Sequence, residues 1–321
     1  MRGPQARLAA ARLLAAVALL IALGAAPARA AERLTVLLDW FVNPDHAPLY
    51  VALEKGYFRE AGLEVELVPP ADPADPPKLV AAGRADIGIS YQPELHLQVE
   101  AGLPLARIGT LVATPLNTVI ALRDGPIKSL ADLKGKRIGY SVTGFEDAVL
   151  GAMLEHAGVR PSDVTKVNVN FALSAALLSG QVDAVIGGYR NFELNQMDLE
   201  GRPGRAFFPE ENGVPPYDEL VIVANSAKLS DPRLPRFIDA LERGVLHLAN
   251  NPDEGWRLFI KGRPELDNEL NRRAWRDTVP RFAHSPSALD ERRYRRFAEF
   301  LKARGLIKAV PDLASYAVQL R

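Results

Sequence analysis

Apolar residues fall along this chain in two alternating periods. Short runs such as Leu34 to Leu38, Leu63 to Val68 and Ile87 to Ile89 suit buried strands. Between them, apolar residues recur three and four positions apart, as on one face of a helix. The pattern predicts strands at 33–38, 63–68, 86–89, 106–112 and 118–122, with helices at about 48–60, 76–82 and 93–101. A short helix at 129–135 opens on Ser129 and stops at Gly135. Strands at 137–142, 165–170, 183–187 and 205–208 then alternate with helices at 146–158, 172–179 and about 191–200. Residues 218–224 are β-rich, and beyond Asp231 the spacing of Leu234, Phe237, Leu241, Val245 and Leu248 is helical.

Such alternation implies an α/β protein with mainly parallel sheets. The segment from Leu79 to Ile89 reads as a helix end, a glycine turn and a short buried strand, and Leu177 to Gly187 repeats that order. In each copy a glycine (Gly83, Gly180) suits the left-handed residue that ends a helix, and an aspartate (Asp86, Asp183) can accept from nearby backbone donors. Two such units predict two lobes. Residues 31–123 and 221–321, the latter a helical C-terminus, form the first lobe, and 124–220 form the second. Crossings near 123–126 and 217–221 make a double-crossover hinge, and hinged lobes close around ligands.

Residues 1–30 read differently. Arg2, Arg7 and Arg12 precede an apolar stretch from Leu13 to Ala26, and Ala28-Arg29-Ala30 supplies small residues of the kind a signal peptidase reads. The stretch is short and alanine-rich for a membrane span, so a cleavable export signal is expected, with the mature chain free in a periplasm. The absence of cysteine excludes disulfides, cysteine metal sites and a lipid-anchor cysteine. With 39 basic and 39 acidic side chains, nothing provides the basic surplus of a nucleic-acid partner. His46, His96, His156, His247 and His284 lack metal-ligand spacing, and neither a Gly-x-Ser-x-Gly elbow nor a phosphate-binding glycine loop occurs. No catalytic group, metal or cofactor is therefore expected.

The most informative run is Leu38 to Ala47, where a buried strand ends in Trp40, Asn43 and His46 before a helix begins. Ligands of open α/β sheets sit outside the carboxyl ends of the strands. A flat indole beside amide and imidazole groups suits a flat, polar, nitrogen-containing ring. A Trp packed under a loop and a His capping a helix would give the same letters.

The run Leu-Asp-Trp-x-x-Asn-x-x-His at 38–46 is followed by Leu-Tyr-Val-Ala at 49–52, Lys-Gly-Tyr-Phe at 55–58 and Gly-Ile-Ser-Tyr-Gln-Pro at 88–93. Together with Ser129 to Tyr140 and Gly187 to Glu193, it resembles the thiamine-pyrimidine-precursor binding group over about 33–260. These are periplasmic components of ABC importers, related to a pyrimidine synthase of thiamine biosynthesis and to nitrate and sulfonate binding proteins. The resemblance implies a two-lobe type II periplasmic-binding-protein fold and a monomer. It also implies a formylaminopyrimidine or hydroxymethylpyrimidine cargo handed to a permease and its ATPase in the inner membrane. Riboflavin-type and sulfonate or nitrate cargoes are the alternatives within the same fold, and a membrane sensor could replace the permease.

For such a ligand Trp40 would stack on the ring, with Asn43 and His46 as hydrogen-bonding neighbours. Ser90, Tyr91 and Gln92 follow a strand on the same rim, although Ser90 could simply cap the helix at 93–101. From the facing lobe, Gly144 and Phe145 precede a helix whose free N–H groups would take a carbonyl or formyl oxygen. Tyr189 and Glu193 follow the strand at 183–187, and Glu193 would accept from an exocyclic amine or merely favour a helix start. Arg190 is read as facing solvent, and Asn117 near the crossover is a weaker candidate. An anion would need positive charge at this rim, whereas Glu193 repels one. In the synthase alignment Ser90 stands at the position of the lysine that holds pyridoxal phosphate, and Glu94 at that of the reacting histidine. The resemblance thus implies binding in place of synthesis.

Overall fold

In the computed structural model, residues 31–320 are described, and the export signal read at 1–30 lies outside them. Two five-stranded sheets carry the fold. The first has the order β2-β1-β3-β10-β4, built from β1 (Glu32–Leu37), β2 (Leu63–Val68), β3 (Ile87–Ser90), β4 (Leu105–Val112) and β10 (Leu220–Asn225). The second has the order β7-β6-β8-β5-β9, from β5 (Asn117–Leu122), β6 (Arg137–Tyr140), β7 (Thr165–Asn168), β8 (Ala184–Tyr189) and β9 (Gly204–Phe207).

The two orders are the same design used twice. Each sheet has three parallel strands, then one antiparallel strand that arrives from the crossing between sheets. The sheets are therefore mixed, because a strand entering by a short crossing runs back along its neighbours. The sequence repeat is the trace of this design. Gly83 and Gly180 both take positive φ (72° and 75°) at the helix end before the third strand. Three residues on, Asp86 Oδ2 accepts from Thr35 N at 2.9 Å and Asp183 Oδ2 accepts from Arg137 N at 2.8 Å. The aspartates thus fasten β3 to β1 and β8 to β6.

One crossing lies elsewhere than the sequence suggests. Strand 117–122, assigned to the first lobe, pairs with β8 and β9 in the second sheet. The change of sheet therefore falls between Val112 and Asn117, not near 123–126, and the return falls between Phe207 and Leu220. The two crossings touch: Glu219 Oε2 accepts from Leu116 N at 2.5 Å and Asn117 N at 2.9 Å. Elsewhere the helix expected over 48–60 divides into Ala47–Glu54 and Tyr57–Glu60, and 130–133 is a single 3-10 turn. The long helix Arg233–Asn250 buries Leu234, Phe237, Leu241, Val245 and Leu248 against the first half, along the predicted stripe. Among the described residues, no helix is long and apolar enough to cross a membrane.

Candidate functional site

The carboxyl ends of β1, β3, β6 and β8 converge on one cavity, where ligands of open α/β sheets sit. Its walls come from both sheets. Asp39, Trp40, Asn43, Asp45 and Tyr91 face Ser141, Val142, Phe145, Glu146, Gly187, Tyr189, Phe192 and Glu193.

On the first wall, β1 gives way to a turn organised by Asn43. Its side-chain oxygen accepts from Asp45 N at 2.8 Å, capping the 3-10 turn Pro44–His46. The amide N–H of Asn43 points at His46 Nδ1, 3.4 Å away, which leaves His46 Nε2 to donate to Asp39 Oδ1 at 2.9 Å. Tyr91 donates its hydroxyl to the other Asp39 oxygen at 3.0 Å. Burial, followed by the nearby carboxylates of Asp39 and Glu94, pushes the Tyr91 phenol well above its usual range, so it remains a donor. Trp40 is half-buried, edge-on to Phe171 with centroids 4.6 Å apart, and its Nε1 has no partner.

On the second wall, Glu146 sits in the first turn of the helix Phe145–His156 and folds back on the end of β6. Its Oε2 accepts from Ser141 N at 2.7 Å and Val142 N at 3.2 Å. Burial raises its pKa to about 8, against the pull of those two amides. Gly187 makes room for this carboxylate: a Cβ there would lie 2.3 Å from Glu146 Oε1, and φ is +93°. Glu193 Oε2 accepts from Tyr189 N at 2.7 Å, and burial lifts its pKa to about 7. Asp45 is raised to about 6, again chiefly by burial, and its Oδ2 lacks a partner. Phe145 stacks on Tyr91 across the cleft at 4.9 Å and 20°.

The cavity therefore holds four acidic side chains, aromatic faces and no lysine, arginine or histidine on its wall. Buried carboxylates without a cation are either protonated or waiting for donors. Such a wall suits a ligand rich in N–H groups and disfavours an anion. Among the described residues, no group of three or more His, Cys, Asp or Glu is placed to hold a metal ion.

Six of the sequence candidates meet here: Trp40, Asn43, Tyr91, Phe145, Tyr189 and Glu193. Five stand behind the wall. His46, fully buried, holds Asp39. Ser90 donates to Glu94 at 3.2 Å, being turned inward at the end of a fully buried strand. Gln92 Oε1 accepts from Asp218 N at 2.8 Å and ties the return crossing to the first sheet. Asn117 Oδ1 accepts from Gly187 N at 3.0 Å and so props the turn under Glu146. Gly144 does not offer a free amide to a formyl oxygen, since its N–H donates to Asp147 Oδ2 at 3.4 Å. Arg190, expected to face solvent, is largely buried, paired with Glu210 at 2.6 Å and lying over the Phe208 ring. Asp39, Asp45, Ser141, Val142, Glu146, Gly187 and Phe192 were not anticipated. Both aspartates lie inside the run that drew attention first, and Glu146 follows a predicted strand end.

A family profile described as NMT1/THI5 like matches residues 43–255. The chain belongs to that family. It is 52% identical, over 92% of its own length and 94% of the relative's, to a Haemophilus influenzae protein whose name ties it to thiamine biosynthesis. The formylaminopyrimidine-binding protein of Halalkalibacterium halodurans is 37% identical over 75% of this chain and 74% of that one. A 4-amino-5-hydroxymethyl-2-methylpyrimidine phosphate synthase of Legionella pneumophila is 28% identical over 79% of this chain and 81% of its own. Among solved structures, the alkanesulfonate-binding protein SsuA of Xanthomonas axonopodis pv. citri bound to MOPS superposes with TM-score 0.69 at 17% identity, covering 89% and 97% of the two chains. That likeness shows the fold, that of periplasmic binding proteins.

Proposed function

We propose that the protein is an exported solute-binding component of an ABC importer. It captures a thiamine pyrimidine precursor of the formylaminopyrimidine or hydroxymethylpyrimidine type and delivers it to a permease. The observation that carries this reading is the cavity's composition: four buried acids, one of them (Asp45) with an oxygen that lacks any partner, beside a half-buried indole, with no cation on the wall. An aminopyrimidine offers a ring face to Trp40 and amine hydrogens to the carboxylates, and each pairing removes a buried polar group's penalty. The 37% identity to a formylaminopyrimidine-binding protein supports the same cargo.

Mechanistically, ligand contacts come from both sheets and exist together only when the halves are closed, so binding shifts the population toward closure. The closed surface is then what a permease reads. Synthase chemistry is the less favoured reading, because the lysine position of that group is Ser90, whose hydroxyl is bonded to Glu94 and stands off the cavity wall. An alkanesulfonate or nitrate would meet acids in place of cations.

Isothermal titration of residues 31–321 with formylaminopyrimidine tests the reading. One-site binding, weakened in Glu193→Gln, is the expected result. Binding of taurine with no response to the pyrimidines would overturn it.

A further inference from the structure

Asp45 faces two ways. Only 2% exposed, it lines the cavity, and its Oδ2 has no hydrogen-bond partner. Its other oxygen is held from outside the cavity. Asn191 Nδ2 donates to Asp45 Oδ1 at 2.6 Å, and the Thr278 hydroxyl lies 2.9 Å from the same oxygen. The Asn191 amide also reaches Thr278 Oγ1 at 2.6 Å, which closes a triangle. The three corners come from different parts of the chain: the turn after β1, the turn after β8 in the second sheet, and the end of the helix Glu269–Thr278. A second rung runs beside it, with Asn195 Nδ2 donating to Asp277 Oδ2 at 2.7 Å. Asn191 is 1% exposed and Thr278 is fully buried, and neither lines the cavity.

We infer that Asp45 couples ligand to closure: one oxygen takes an N–H donor from the bound ring while the other fastens Asn191 and Thr278 into a latch between the two sheets. Resting on the pyrimidine reading above, this assigns two positioning residues that never touch the ligand. A donor on Oδ2 favours the ionised form of Asp45, and an ionised carboxylate is the stronger acceptor for Asn191 and Thr278. Conversely, an intact latch holds Oδ2 where the ring arrives, which lowers the reorganisation that binding requires. The occupant of Oδ2 is thus an amine or ring N–H of the ligand, and the latch transmits its presence to the helix Glu269–Thr278.

The chain has no cysteine, so a dye pair on Glu66→Cys in β2 and Ser162→Cys in the turn before β7, both exposed, reports closure without background labelling. Titration with formylaminopyrimidine is expected to close the wild-type pair. Thr278→Val should weaken binding about tenfold and leave a larger open fraction at equal occupancy, whereas Thr278→Ser restores both. Asn191→Ala repeats the effect from the other sheet if the valine variant folds poorly. Thr278→Val and Asn191→Ala binding and closing as wild type would overturn the latch and leave the pyrimidine reading intact. A wild-type protein that neither binds nor closes with the pyrimidine would sink the reading, and the latch with it.

Discussion

Two buried polar clusters lie within this fold, and they are opposites. Near β4 and β10, Asp218 has both carboxylate oxygens taken, Oδ2 by the Thr110 hydroxyl at 2.9 Å and Oδ1 by Arg293. Arg107, fully buried beside it, donates to Thr110 and to the carbonyls of Pro286, Ser287, Ala288 and Val318. In the cavity, Asp39, Asp45, Glu146 and Glu193 face one another with no cation on the wall. The first cluster stitches the C-terminal segment to the first sheet. In the second, Asp45 Oδ2 has no partner. Opposite charges in contact mark scaffold, and like charges gathered around an open space mark a site.

The largest effect that should separate them is Arg107→Met. Removing the guanidinium leaves the Thr110 hydroxyl and four carbonyls short of a donor, at about 1–3 kcal/mol for each group left unsatisfied, so ligand-free stability measured by denaturant unfolding should fall by several such steps while the folded fraction still binds. A small change in stability would erase the contrast.

Next comes Glu146→Gln, which keeps an acceptor for Ser141 and Val142 but can no longer ionise. Pyrimidine binding should fall ten- to a hundredfold by titration. The pH dependence carries a definite sign. Because the folded pKa of about 8 lies above the ordinary 4.5, the native state holds its proton longer than the unfolded chain. Stability is therefore lost as pH rises between those values. Asp45 (about 6) and Glu193 (about 7) act in the same direction. The ligand-free melting temperature of the wild type should thus decline from pH 5 to pH 8, and Glu146→Gln should flatten that decline.

Trp40→Ala follows. Loss of the stacking face, worth about 0.5–1.5 kcal/mol beyond its area, should weaken binding at least tenfold and leave ligand-free melting nearly unchanged. Ligand-free unfolding instead would make Trp40 a core residue. The smallest effect belongs to Tyr91→Phe, which removes one donor to Asp39 but keeps the ring on Phe145. A few-fold loss of affinity is expected, in line with one hydrogen bond of about 1 kcal/mol.

Much of this fold is legible in the sequence because strand–helix alternation is a local property. The Gly83–Asp86 and Gly180–Asp183 units are legible for the same reason: a helix stop, a turn and an acceptor are read within a few residues. Sheet membership is not local. Nothing within residues 117–122 says that they pair with β8 and β9 and not with β4, so the first crossing was misplaced. At the cavity wall lie Trp40, Asn43, Tyr91, Phe145, Tyr189 and Glu193, all selected by the strand-end rule. It also selected His46, Ser90, Gln92, Gly144 and Asn117, since residues on the rim and residues one layer beneath it share the same sequence positions. Asp45 and Glu146 stayed hidden because an acid in a first turn already has an ordinary explanation in the helix dipole. Only the third dimension places those acids against one cavity.

The most direct test of the central claim, that this cavity is built for an N–H-rich ring and not an anion, is thermal melting of residues 31–321. The panel comprises formylaminopyrimidine, hydroxymethylpyrimidine, riboflavin, taurine and nitrate. A pyrimidine at a hundredfold excess over its dissociation constant should add about 2.7 kcal/mol of stability, and taurine and nitrate should add none. Stabilisation by taurine or nitrate, with none by the pyrimidines, would contradict it.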